Sequence, residues 1–183
     1  HDALPISPAN LRLQLTEAAG IDLARAFLYL KLPTQVGVDR IEIDRAGPSY
    51  AIDTCKVLRE RYGENTSLIW LMGVDSLLNL PTWHSWQELT QFVNFAVASR
   101  PHYSLTALTN SSLCDYLKDH QTNDPSTLES KASGLIYIDN SLSVDLSSTN
   151  LRAQLKNPAK NALAAEQIPS HTLEMITNLG LYQ

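Results

Sequence analysis

A helix start in the last third of the chain carries the residues best suited to holding a phosphate. Ser147, Ser148 and Thr149 offer hydroxyls and free backbone N–H groups, and Arg152 follows about one turn later. N–H donors, the positive end of a helix dipole and a guanidinium fork all favour a phosphate. Hydrogen bonds to a charged group contribute about 1.5–3 kcal/mol each, and the dipole about 0.3–1 kcal/mol, so the arginine and the donors would dominate. The alternative is a serine cap beside an arginine in solvent.

A second group of candidates follows an apolar run. Residues 67–72 carry no charge and end at Gly73, with Asp75 two positions later and Trp83 further on. Such a run predicts a strand buried on both faces of a parallel sheet, whose ligands bind beyond the carboxyl ends of the strands. Gly73 would admit a ligand to the backbone, Asp75 would offer a carboxylate, and stacking on Trp83 would contribute about 1–3 kcal/mol. Together they indicate a nucleotide site, although glycine and aspartate also suit a helix cap and the indole also suits the core.

Other chemistries find less support. Arg100 follows a predicted strand and faces either the crevice or the solvent, and the histidines show neither metal spacing nor a nucleophile-base pattern. The chain has neither a Gly-x-x-x-x-Gly-Lys loop nor a Gly-x-Gly-x-x-Gly turn, which excludes the usual NTPase and dehydrogenase readings. A net charge of −5 disfavours a general nucleic-acid or anionic-membrane binder. Cys55 and Cys114 fit two buried, reduced thiols of a cytosolic protein.

The elements that would position these residues alternate between strands and helices. Strands are predicted at 36–44, 67–72, 94–99 and 135–138. Helices are predicted from about residue 11 to a stop at Gly20, from a Ser49 cap to Gly63, from a Ser85–Glu88 capping box, over 105–120, from Ser147, and from Pro169. Residues 22–34 fit either a helix or a strand. On the helix that starts at Ser49, the apolar stripe of Ile52, Cys55, Leu58 and Tyr62 should be buried. The alternation predicts an α/β fold with a mostly parallel sheet.

The first residues look foreign to the rest. The chain has no initiator Met, and residues 1–7 resemble a translated sequencing adapter, so we expect a non-native leader followed by a single domain over 8–183.

Five segments occur in an order that resembles the bacterial nicotinate mononucleotide adenylyltransferases. They are Gly47-Pro48-Ser49-Tyr50-Ala51-Ile52-Asp53-Thr54, Gly73-Val74-Asp75-Ser76-Leu77-Leu78, Pro81-Thr82-Trp83, Ser99-Arg100-Pro101 and Ser147-Ser148-Thr149-Asn150-Leu151-Arg152. The resemblance covers most of the chain from Ala46 onward and implies a Rossmann-like nucleotidyltransferase fold. It also implies a cytoplasmic enzyme of NAD biosynthesis that uses ATP, nicotinate mononucleotide and Mg²⁺, and that releases nicotinate adenine dinucleotide and pyrophosphate.

The same resemblance implies roles for individual residues. Gly73 and Asp75 would hold the ribose of ATP, and the Ser147, Ser148, Thr149 and Arg152 helix start would hold its phosphates. On the substrate side, Trp83 would stack on the pyridine ring beside Tyr50, and Arg100 would lie near the phosphate. Backbone N–H groups near Ala51 and His84 would receive the nicotinate carboxylate. Members of the family often have Thr and Tyr at positions 51 and 84.

One departure from the family concerns catalysis. Its members begin with a strand and a glycine-rich loop bearing His-x-Gly-His, and this chain has no such motif, so no catalytic residue is assigned. The missing part amounts to about thirty or more residues. Losing one preorganised donor typically costs a factor of about 10²–10³ in rate, so we expect an inactive or weakly active polypeptide with an exposed sheet edge. The alternatives are an adenylyltransferase of the pantetheine-phosphate type and a non-catalytic nucleotide-binding module.

Overall fold

The computed structural model describes residues 8–99, 111–141, 148–157 and 166–181. The chain divides into two compact units. The sheet unit spans Gly47–Asp145, and the helical unit combines Asp2–Ala46 with Leu146–Gln183. The single domain predicted over 8–183 stays a prediction, as does the non-native leader, since residues 1–7 lie outside the described part.

The sheet unit is built on parallel strands, as predicted. The strands are β1 (Ile69–Gly73), β2 (Asn94–Ala98), β3 (Gln121–Thr122) and β4 (Ile136–Asp139), in the spatial order β1-β2-β4-β3. The register places Gly73 opposite Ala98, and Ala98 opposite Asp139. The carboxyl ends of three strands therefore lie side by side at one edge of the sheet.

Helices connect the strands and make up the helical unit. The described helices are α1 (Ala9–Tyr29), α2 (Ala51–Tyr62), α3 (Val74–Leu78), α4 (Ser111–His120), α5 (Ser126–Ser130), α6 (Ser148–Leu155) and α7 (Ser170–Asn178). Short 3₁₀ helices span Leu80–Thr82 and Trp86–Gln91. None of the described helices combines the length and the apolar character needed to cross a membrane.

The core of the sheet unit lies on one face of the sheet. Ile52 of α2, Leu77 of α3 and Leu117 of α4 pack in one cluster with Phe95 and Ile138 of the sheet. These side chains alternate with residues of the other face, because successive residues of a strand point to opposite sides. The prediction that β1 is buried on both faces is wrong: Leu71 is 77% exposed and Ile69 41% exposed.

Several predicted caps and buried positions also differ. Tyr50, not Ser49, occupies the N-cap position of α2, and Ser85 makes no side-chain cap bond to the 3₁₀ helix that follows it. Tyr62 is 54% exposed, because it lies in the last turn of α2, beyond the part of the helix that meets the sheet. Cys55 is buried as predicted, whereas Cys114 is only partly buried, and no disulfide joins the two.

Arg59 holds together the chain segments that precede β1, β2 and β4. Its guanidinium donates to the carbonyl of Phe92, which precedes β2, and to the carbonyl of Ala132, which precedes β4. It also donates to the carbonyls of Gly63 and Thr66, between α2 and β1. One cation therefore ties together the segments that lead into three strands.

In the helical unit, α1 runs through Gly20 to Tyr29, so the stop predicted at Gly20 is wrong and the ambiguous stretch begins as helix. A Cβ at Gly20 would lie 3.2 Å from the side chain of Val38, so glycine is used here for close approach. Residues 36–44 form no strand, contrary to the sequence prediction. A strand needs a neighbour to satisfy its backbone groups, and in the described residues this segment has none.

Candidate functional site

The backbone at the end of β1 is open to a ligand. Gly73 has φ −83°, which any residue adopts, so its conformation does not require glycine. A Cβ added there would have no heavy atom within 4 Å, which leaves free space in front of the backbone. Asp75 follows in the first turn of α3 and is half-buried, and its carbonyl accepts a hydrogen bond of 2.9 Å from the Asn79 amide. The structure thus keeps the predicted access to Gly73 and places Asp75 directly beyond the strand end.

A cavity of about 430 Å³ lies along the strands behind this edge. Its lining is mostly apolar and consists of Leu71, Met72, Ala96, Val97, Ala98, Tyr137 and Asp139. Asp139 was missed from the sequence, because the predicted strand stopped one residue too early. Its carboxylate accepts hydrogen bonds from the hydroxyl and the backbone N–H of Ser141, at 2.6 and 2.8 Å, and these bonds lower the pKa of Asp139. The cavity therefore ends in a carboxylate held in its charged form.

Trp83 packs against the core, which is one of the two roles that the sequence left open; its stacking on a ligand stays a prediction. Its indole is half-buried against the core and meets the Trp70 ring edge to face, with centroids 6.3 Å apart and planes at 70°. The backbone N–H of Trp83 donates to the carbonyl of Leu80 at 2.9 Å, which anchors the residue at the end of a 3₁₀ turn. Packing and backbone bonding thus fix the ring before any ligand arrives.

Two of the predicted substrate residues, Tyr50 and His84, lie against each other in the structure. The rings of Tyr50 and His84 are stacked, with centroids 4.5 Å apart and planes at 28°. Ala51, next to Tyr50, is the first residue of α2, where backbone N–H groups have no acceptor inside the helix. Ser85, next to His84, adopts a left-handed φ of +48°. Non-glycine residues rarely adopt this conformation, and such strain gathers at functional sites.

The predicted phosphate-binding residues belong to a different unit. Ser148 opens α6, which confirms the helix start, and Arg152 is half-buried within it. Arg100 and Ser147 lie outside the described residues, and the side chains of Ser148 and Thr149 are not described. The convergence of this group with Gly73, Asp75 and Trp83 on one crevice therefore stays a prediction.

A polar cluster in the helical unit was not anticipated from the sequence. Asp22 of α1 accepts hydrogen bonds from the backbone N–H groups of His171 and Thr172 at the start of α7. Its carboxylate also lies 2.6 Å from Nδ1 of His171 and 3.2 Å from the Ser170 hydroxyl. Burial alone would raise the pKa of Asp22, but the bonds from the His171 side chain, the two N–H groups and Ser170 together lower it to about 2. The partners of Asp22 lie about 150 positions away in sequence, so no local sequence pattern predicts the cluster.

Comparison with known proteins gives one consistent family. The cytidylyltransferase-like family model matches residues 1–154. A relative from Methylococcus capsulatus, named probable nicotinate-nucleotide adenylyltransferase, is 29% identical over 182 residues, which are 100% of this chain and 80% of the relative. A relative of the same name from Yersinia pestis is 33% identical over 183 residues, which are 100% of this chain and 77% of the relative.

A solved structure supports the fold. The nicotinic acid mononucleotide adenylyltransferase of Plasmodium falciparum, complexed with APC, superposes with a TM-score of 0.57 at 14% sequence identity. The match covers 88% of this chain and 75% of that one. At this identity the likeness concerns the fold alone, and it agrees with the parallel sheet and flanking helices predicted from the sequence.

Proposed function

This chain belongs to the nicotinate-nucleotide adenylyltransferases of the cytidylyltransferase-like family, and on that premise we propose that the complete protein transfers the adenylyl group of ATP to nicotinate mononucleotide. A phosphate oxygen of the mononucleotide attacks the α-phosphorus of ATP. The bond from that phosphorus to the bridging oxygen breaks, and pyrophosphate leaves with the electron pair. The products are pyrophosphate and nicotinate adenine dinucleotide, a step of NAD biosynthesis.

One observation carries the proposal: the match to the Yersinia pestis relative, at 33% identity, extends over all 183 residues, so the matched region spans both the open strand end at Gly73 and the stacked pair of Tyr50 and His84. The acceptor supplies its own nucleophile, so the protein needs none. What the protein must supply is position and charge stabilisation, which are the main contributions in phosphoryl-type transfer.

We assign the residues of the sheet unit to the two nucleotides. Gly73 lets the adenosine ribose approach the backbone, and the carboxylate of Asp75 accepts hydrogen bonds from its hydroxyls. Trp83, already held edge to face by Trp70, stacks on the pyridine ring of the mononucleotide. Main-chain N–H groups near Ala51 and His84 receive the nicotinate carboxylate. The Tyr50–His84 stack supports this by holding the helix start close to the loop that bears His84.

The remaining assignments concern phosphates. The start of α6, with Ser147, Ser148, Thr149 and Arg152, is proposed to bind the phosphates of ATP through hydroxyls, N–H groups and a guanidinium. Arg100 is proposed to lie near the phosphate of the mononucleotide. Both groups supply positive charge to a protein whose net charge is −5, so they concentrate attraction for anions where the reaction needs it.

The proposal includes Mg²⁺ carried in with ATP. In the parts of the chain that are described, no three His, Cys, Asp or Glu side chains cluster as a metal cage. Mg²⁺ typically binds to substrate phosphates with the help of only one or two carboxylates, so the ion would be held mainly by the phosphates of ATP. There it would neutralise charge on the phosphate oxygens.

We also propose that the 183-residue polypeptide itself is a poor or inactive catalyst. The family's His-x-Gly-His motif is not in its sequence, and the motif's histidines stabilise the phosphates during transfer in the family it resembles. Removing even one preorganised donor typically costs about 10²–10³ in rate, and this chain lacks several. Measurable adenylyl transfer by the purified 183-residue chain would refute this part of the proposal.

The decisive experiment uses the gene's complete product. We expect it to form nicotinate adenine dinucleotide and pyrophosphate from ATP and nicotinate mononucleotide. Chromatography of the products measures this reaction. The pantetheine-phosphate acceptor offered in the same assay should give no product. Transfer to that acceptor instead would assign the protein to a different adenylyltransferase, and binding of ATP without any transfer would assign it to a non-catalytic nucleotide-binding module.

A further inference from the structure

We propose that Tyr116 of α4 is a positioning residue for the acceptor nucleotide. Its side chain anchors the 3₁₀ helix Trp86–Gln91, and through that helix it keeps the segment Trp83–Ser85 in the shape that receives the pyridine ring and the nicotinate carboxylate. The identity of the acceptor rests on the proposed function, whereas the anchoring of the segment rests on contacts within the sheet unit. Neither Tyr116 nor its partner Thr90 is assigned to a nucleotide, so both act through other residues.

The Tyr116 side chain contacts the 3₁₀ helix with both its hydroxyl and its ring. The hydroxyl donates to Oγ1 of Thr90 at 3.1 Å, and the carbonyl oxygen of Trp86 lies 3.5 Å away. The ring packs edge to face against the indole of Trp86, with centroids 4.8 Å apart and planes at 66°. Tyr116 is 7% exposed and Thr90 5% exposed, so water competes little for the bond between their hydroxyls. Burial raises the pKa of the Tyr116 phenol, which therefore stays protonated and donates at neutral pH.

The hydrogen bond from Tyr116 continues through Thr90 toward the sheet. Nδ1 of His120 lies 2.8 Å from the carbonyl oxygen of Gly134, which can only accept, so Nδ1 carries a proton. In the neutral ring Nε2 is then an acceptor, and it lies 3.5 Å from Oγ1 of Thr90. Donation therefore runs in one direction, from Tyr116 through Thr90 and His120 to a carbonyl two residues ahead of β4. Hydrogen bonds arranged in such a chain strengthen one another.

The segment Trp83–Ser85 runs directly into this anchored helix. Ser85 has φ +48° and ψ +36°, a left-handed conformation that a residue other than glycine keeps only where its surroundings hold it. The carbonyl of Ser85 accepts the first bond of the 3₁₀ helix, from the N–H of Glu88 at 3.0 Å. Anchoring Trp86 and Thr90 from α4 therefore stabilises the left-handed turn, and with it the backbone N–H groups beside it.

Without the Tyr116 hydroxyl, the turn would be released to other conformations. The affinity of a ligand falls in proportion to the fraction of the protein that has the binding-competent conformation. The loss of one buried, neutral hydrogen bond lowers such a fraction about three- to tenfold. Nicotinate mononucleotide, assigned to Trp83 and His84, should lose that factor in affinity, whereas ATP, assigned to Gly73 and Asp75, should not.

The test uses Tyr116→Phe, which keeps the ring and removes only the hydroxyl. Exchange of backbone amide hydrogens, followed by NMR in the 183-residue chain, reports on the turn through the N–H of Glu88. That amide should exchange about three to ten times faster in the variant. The N–H of Phe95, which donates to the carbonyl of Leu135 at 2.7 Å, should keep its rate. Calorimetric titration should show an affinity for nicotinate mononucleotide that is weaker by about three- to tenfold, and an unchanged affinity for ATP.

Two further variants separate a specific effect on the turn from a general loss of stability. Thr90→Val removes the acceptor hydroxyl and should reproduce both changes. The double variant of Tyr116→Phe and Thr90→Val should add nothing to either change, because the two side chains share one bond. Tyr62→Phe removes the hydroxyl of an exposed tyrosine on α2 and should leave both measurements as they are in the parent chain.

Two results would overturn the inference. One is a Glu88 amide whose exchange is unchanged, or rises only together with that of Phe95, since the hydroxyl would then stabilise the fold and not the turn. The other is a turn that Tyr116→Phe loosens while the affinity for nicotinate mononucleotide stays the same. A parent chain with no affinity for nicotinate mononucleotide, whose Glu88 amide still loses protection in Tyr116→Phe, would remove the acceptor from the proposed function and leave the positioning of Trp83–Ser85 standing.

Discussion

Replacing Arg59 with methionine should weaken the sheet unit more than any other single loss of charge on α2. Methionine keeps the length of the side chain but donates no hydrogen bonds. The carbonyls of Phe92 and Ala132, both partly buried, would then lose a cationic donor at the points where the chain turns into β2 and β4. The Ala132 carbonyl keeps one partner, the backbone N–H of Leu68 at 3.2 Å.

The expected loss can be worked out from these contacts. A hydrogen bond to a charged group contributes about 1.5–3 kcal/mol, and two such acceptors give about 3–6 kcal/mol. Since a domain is stable by about 5–15 kcal/mol in all, this is a large fraction. With a urea slope of about 2 kcal/mol per molar, the unfolding midpoint should fall by about 1.5–3 M. Tryptophan fluorescence is the right signal, because Trp70, Trp83 and Trp86 all lie in the sheet unit.

Lys56→Met on the same helix is the matched control. Lys56 pairs with Glu88 at 3.8 Å, and both side chains are about half exposed. Exposed ion pairs contribute at most about 1 kcal/mol, so the control should shift the midpoint by less than about 0.5 M. Equal midpoints for the two variants would show that Arg59 does not hold the strand entries together.

Two further predictions concern polar side chains that are held by several hydrogen bonds. Because its hydrogen bonds hold the pKa of Asp22 at about 2, against 3.8 for an ordinary aspartate, its carboxylate stabilises the fold above pH 4, and this contribution disappears as the pH falls toward 2. Asp22→Asn should therefore lower the free energy of unfolding by about 1–2 kcal/mol at pH 7, after allowance for solvent screening, and by almost nothing at pH 2. Unfolding followed by circular dichroism measures both values, and an equal loss at the two pH values would contradict this reasoning. Asn94 is fully buried, donates to the carbonyls of Leu128 and Lys131, and accepts from the N–H of Leu135. Asn94→Leu should lower the free energy of urea unfolding by about 3 kcal/mol or more, because it leaves the two carbonyls and the N–H group without this partner. A loss below about 1 kcal/mol would show that these groups find other partners.

The sequence predicts the sheet well because its strands are short, continuous and bounded by turn residues. The apolar stretches ending at Gly73 and Ser99 became β1 and β2 almost to the residue. Residues 36–44 have the alternation of a strand but form none, because a strand also depends on a neighbour that local sequence does not encode. The exposure of Leu71 was not foreseen either, because whether a face of a strand is buried depends on what packs against it, which local sequence does not encode.

The position of a candidate residue was predictable where it lies close to its own strand or turn. Gly73 ends β1 and Asp75 follows two residues later, and family resemblance added Tyr50 and His84, whose rings the structure stacks together. Long-range contacts were not predictable. Asp22 bonds to a helix start about 150 residues later, and neither end carries a motif. The left-handed backbone of Ser85 was hidden as well, because the capping-box pattern around it favours an ordinary helix start.

The most direct test of the central claim is calorimetric titration of the 183-residue chain with nicotinate adenine dinucleotide, which carries both nucleotides in one molecule. We predict a single site whose affinity falls in each of Asp75→Asn, Trp83→Leu and Arg152→Gln, whereas the exposed control Lys118→Gln leaves it unchanged. That result would place residues of both units on one ligand. Weaker binding in the first two variants but not in Arg152→Gln, or no binding at all, would contradict a crevice shared by the two nucleotides.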